Sequence, residues 1–73
     1  MLTAEELSML HVLAAVEGMR GTQVSAQVEV NEVLLAVGLI ARGYLTVVHG
    51  YDHMRVMLTQ LGRGVIHRAR AAA

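Results

Sequence analysis

Cysteine, lysine, phenylalanine and tryptophan are all missing from these 73 residues, and no acidic or basic excess is present. Without cysteine there is no disulfide to reinforce a small core, and a structural metal site loses its commonest ligand. A fold this short then leans on a partner subunit for what a single thin core does not supply. Without Phe or Trp the interior has few large groups, so the five methionines are expected to fill it. All six basic residues are arginine and are balanced by six acidic ones, so no global field is available to hold a polyanion, and nucleic-acid binding would depend on local placement. No apolar run reaches the roughly 18–20 residues that span a bilayer, and the first residues do not read as a signal peptide. The expectation is a soluble, cytoplasmic protein with no membrane partner.

What is abundant is aliphatic side chain. Hydrophobic residues make up 55% of the chain and charged ones 16%, although a small fold has proportionally more surface to cover with polar groups. Some apolar surface is therefore expected to meet another chain, and a homodimer is the expected form.

Along the chain, Thr3 with Glu6 three residues later forms a capping box, and Gly18 and Gly21 follow, so a first helix is predicted over residues 3–19. Leu7, Leu10 and Ala14, together with Met9, Leu13 and Val16, cover more than half its circumference, which predicts a core face and a partner face. Residues 22–30 alternate Val24, Ala26, Val28 and Val30 with polar residues, a strand pattern that also satisfies helical spacing, so a short strand and a second helix both remain open. Asn31 is read as the cap of a third helix over 31–43 that stops at Gly43. Residues 44–59 read as a hairpin turning at Gly50-Tyr51-Asp52, and Thr59 as the cap of a last helix over 60–70. There is no internal repeat or linker, and the whole of 1–73 reads as one α+β domain, mainly α.

The run Arg42-Gly43-Tyr44-Leu45, then a hairpin, then Arg55-Val56-Met57-Leu58-Thr59-Gln60-Leu61-Gly62-Arg63 resembles the wing region of the MarR and PadR families of transcriptional regulators. In those families a leucine-threonine pair ends the second wing strand and a glycine three residues on lies in the first turn of the next helix. The resemblance covers residues 36–66. It implies a small winged-helix domain, dimeric and bound to double-stranded DNA, with the third helix in the major groove and the wing on the backbone or minor groove.

The third helix departs from what such a reader needs. Base edges are read by hydrogen-bonding side chains, and only Asn31, Glu32 and Arg42 are polar in the whole element. Its remaining positions, Leu35 and Leu39 among them, suit burial against protein. Polar groups gather at the wing and its flanks instead, which makes Asn31, Arg42, His49, Tyr51, His53, Arg55, Arg63 and Arg68 the candidate DNA contacts. Met9, Leu13, Val16, Leu35, Leu39 and Val65 are the candidate partner or dimer contacts. His49 and His53 flank the turn, but no third ligand stands near them and no metal or other cofactor is expected. Neither a nucleophile with its base nor a phosphate-cradling loop is visible, so no enzyme is expected. Two readings follow: a dimeric DNA-binding regulator, and a winged-helix interaction module that uses its apolar third helix to bind a protein.

Overall fold

Helix α1 (Ala4–Arg20) begins where the capping box puts it: the Thr3 hydroxyl accepts the Glu6 amide at 3.1 Å, and the Glu6 carboxylate accepts the Thr3 amide at 2.8 Å. It ends at Gly21, whose φ of +70° is the left-handed conformation that glycine adopts without strain and whose N–H bonds the Glu17 carbonyl. These features come from a computed structural model, which describes residues 2–48 and 53–72.

The ambiguous segment resolves as a strand. β1 is Ala26–Gln27, and it is followed by a single three-residue 3-10 turn, Val30–Glu32, rather than by an α-helix of its own. That turn displaces the expected cap. Asn31 lies inside it, α2 runs Val33–Ala41, and Glu32 at its N-cap makes no side-chain cap hydrogen bond. The physical reason is that the tight turn already gives the entering backbone its acceptors: Glu32 donates to the Glu29 carbonyl and Val33 to that of Val30. α2 is accordingly shorter than the predicted 31–43, although Gly43 does stop it, at φ +85°.

Strands β2 (Leu45–Val48) and β3 (Arg55–Leu58) pair antiparallel, and β1 joins the other side of β3, giving the order β1-β3-β2. Leu45 stands opposite Leu58, and Val56 stands between Ala26 and Val47. The expected turn at Gly50-Tyr51-Asp52, with His49 beside it, lies outside the described residues. Helix α3 (Gln60–Ala72) starts at Thr59, whose hydroxyl accepts the Gly62 amide at 3.0 Å and donates to the Gly43 carbonyl at 2.6 Å. One hydroxyl thus caps α3 and ties it to the end of α2.

The core takes Leu10 and Leu13 from α1, Val28 from just after β1, Ala36 and Leu39 from α2, Leu45 from β2, Val56 and Leu58 from β3, and Ile66 from α3. Gly62 lies where α3 crosses the start of β2, so close that a Cβ would overlap the Tyr44 carbonyl oxygen. Among the described residues the chain is a small α+β fold of three α-helices and a three-stranded antiparallel sheet, a layout compatible with a small winged-helix-like domain.

Candidate functional site

Three of the candidate cationic contacts are engaged inside the chain. Arg63 grips Glu17 with both arms of its guanidinium, Nε to Oε1 at 3.0 Å and Nη2 to Oε2 at 2.9 Å, and so clamps α3 to α1. That hydrogen-bonded pairing raises the Arg63 pKa above its usual value, with the Coulomb attraction of Glu17 adding to it and desolvation opposing. Arg55 donates from Nε to the Ser25 hydroxyl at 3.0 Å and from Nη2 to the Ser25 carbonyl at 2.9 Å, which fastens β3 to the segment leading into β1. Arg42 reaches back along α2 to the Gly38 carbonyl and across to the Glu6 carboxylate. Glu6 is therefore a triple fixture: buried, it completes the α1 cap and joins the start of α1 to the end of α2.

The remaining candidate DNA contacts are not brought together with these. Asn31, His53 and Arg68 are exposed in the 3-10 turn, just before β3 and on α3, and none makes a side-chain hydrogen bond within the described residues. His49 and Tyr51 lie outside the described residues. Among the described residues no group of three or more His, Asp or Glu is placed to hold a metal ion. No helix there is long and apolar enough to cross a membrane.

The candidate partner contacts divide as well. Leu13 and Leu39, at 3% and 0% exposed, belong to the core and present nothing outward. Met9 and Val65 pack against that core, and half-buried Leu35 lines a groove of about 430 Å³ with Met9 and Val12 of α1, β1 and Glu32. Of the six, Val16 is the one on open surface.

The apolar surface lies elsewhere. Val30 is 92% exposed, Leu34 87% and Val37 45%, and Ala41 is also exposed. At 3.6 residues per turn Leu34, Val37 and Ala41 fall within about 60° of one another, and exposed Val30 lies in the 3-10 turn that leads into the helix. The stripe is the face of α2 opposite Ala36 and Leu39. A second exposed row, Val12, Val16 and Met19, runs along α1. Sequence reasoning found Val16 of the α1 row but not the residues of the α2 row, because nearly every position of α2 is aliphatic: without a polar face, periodicity does not say which side is inside.

The chain matches no family model, no curated protein and no solved structure.

Proposed function

We propose that this chain is a protein interaction module with a winged-helix-like layout, which engages its partner through the outward stripe of α2. The observation that carries the reading is the stripe itself: Val30, Leu34, Val37 and Ala41 stand in solvent where a groove-reading helix would need donors and acceptors. Exposed contiguous aliphatic residues are a cost to an isolated domain and a source of affinity to one that is covered. The engaged arginines support the same reading. Releasing Arg42, Arg55 or Arg63 to a phosphate would undo contacts that hold α1, α2, β1 and α3 in place. Placement in the cytoplasm is part of the proposal and rests on the absence of cysteine.

The DNA-binding regulator is kept as a second reading on one specific observation: Arg20, Arg68 and Arg70 are exposed on α1 and α3 and would be available to phosphate. The two are separated by titrating duplex DNA between about 50 and 200 mM salt, a range over which a protein making several phosphate contacts loses orders of magnitude in affinity. The interaction module is expected to show weak retention at low salt that Leu34→Asp leaves unchanged. Tight binding with a steep salt slope, reduced by Leu34→Asp on the groove-facing side of α2 and by Arg68→Ala, would overturn it.

A further inference from the structure

The groove between α1 and β1 combines three features that the α2 stripe does not use. The first is an apolar lining, with Met9 and Val12 from α1 and Leu35 from α2, around a volume of about 430 Å³ that suits a few side chains. The second is charge. Glu5 and Glu32 line the same groove, neither is in an ion pair among the described residues, and no arginine or histidine stands with them. An occupant that carries a cation on an aliphatic body complements both properties.

The third feature is an open strand edge. β1 is the end strand of the sheet, and its Ala26 and Gln27 stand opposite Val56 and Arg55. The Val28 amide donates to the Met54 carbonyl at 2.8 Å, which in an antiparallel ladder makes Gln27 and Arg55 the pair that exchanges no hydrogen bonds. The Gln27 N–H and C=O therefore face away from β3, and Gln27 lines the groove. An extended segment laid along this edge makes both bonds with Gln27. Its residue opposite Gln27 shares the outward face of Arg55 and is best uncharged. The residues on either side turn inward with Ala26 and Val28, toward the groove.

We infer that the groove receives an extended peptide segment of a partner protein, added to β1 as a further strand, in which an aliphatic and a basic side chain flank an uncharged residue. The aliphatic side chain packs on Met9, Val12 and Leu35, and the basic one meets the carboxylates of Glu5 and Glu32. The inference goes beyond the α2 stripe and stands without it. With β1 only two residues long, the contact is short and belongs to the weak class.

The probe is the blocked peptide Thr-Leu-Thr-Lys-Thr, titrated into the isotope-labelled full chain and followed by amide NMR. Shifts are expected at Gln27 and along the groove, with slower hydrogen exchange of the Gln27 N–H. Glu5→Gln and Glu32→Gln, each checked for folding by circular dichroism, should weaken the peptide by about two- to five-fold and leave one with norleucine in place of lysine unaffected. Methylating the central threonine nitrogen removes the N–H offered to the Gln27 carbonyl and should weaken binding several-fold. Equal binding by a peptide with glutamate in place of lysine would overturn the charge argument, and equal binding by the N-methylated peptide would overturn strand addition. No shift at the highest soluble peptide concentration, or shifts confined to the α2 stripe, would overturn the site itself. Leu34→Asp is expected to leave the titration unchanged, so failure here and failure of the stripe are told apart.

Discussion

Gly62→Ala and Gly64→Ala place the same methyl group two residues apart in α3 and are expected to move stability in opposite directions. In a helix interior alanine is favoured over glycine by about 1 kcal/mol, and less near the end, so a site with room gains roughly 0.5–1 kcal/mol. Gly64 has room: a Cβ there would meet Arg68 Nη1 at 3.5 Å, the tip of a movable side chain. Gly62 does not, because the obstacle is the Tyr44 carbonyl oxygen, and that backbone is held. Tyr44 accepts the Thr59 amide at 3.2 Å, and the preceding carbonyl, of Gly43, accepts the Thr59 hydroxyl at 2.6 Å. Overpacking against a fixed neighbour costs about 1–3 kcal/mol, which exceeds the propensity gain. The two variants should therefore differ by about 2 kcal/mol, or roughly 8–16 °C in Tm for a domain of this size. Thermal and urea melts at one fixed protein concentration measure this, with equal m-values confirming a common two-state transition. A Gly62→Ala variant that melts at or above wild type would refute the close-approach argument and the placement of α3 on β2.

Leu39→Ala, which empties a fully buried site, is expected to cost about 2–5 kcal/mol, while Leu34→Ala on the open stripe stays within about 0.5 kcal/mol; both are read from urea midpoints at low protein concentration. Equal losses at the two positions would mean that α2 is rotated from the orientation described. Thr59→Ala should cost about 1 kcal/mol through loss of the α3 cap, with Thr59→Ser recovering most of it; a serine variant no better than alanine would show that the hydroxyl is not what matters there.

Some of this protein was legible in its sequence because the signals were local. A capping box needs four consecutive residues, and Thr3 with Glu6 started α1 where expected. Gly21 and Gly43 stopped helices by left-handed geometry, Thr59 capped α3, and the alternation of Val56 and Leu58 set the inward face of β3. The excess of aliphatic side chain over what so short a chain can bury was likewise countable in advance, and it persists as exposed Val12, Met19, Val30 and Leu34.

Which of those side chains remain outside was decided by tertiary packing. On α2 a shift of one position exchanges Leu39 for an outward residue at no cost in local pattern, so only the contacts of Ala36 and Leu39 with the rest of the core fix the rotation. The fate of the arginines was equally out of reach. Arg63 finds Glu17, Arg42 finds Glu6 and Arg55 finds Ser25 across separations of 46, 36 and 30 residues, which the fold alone brings together. The 3-10 turn that displaced Asn31 as a helix cap arises in the same way, from the path the backbone takes between β1 and α2. Caps and turns are settled by neighbours in the chain; the choice of buried face and of charge partner is settled by neighbours in space.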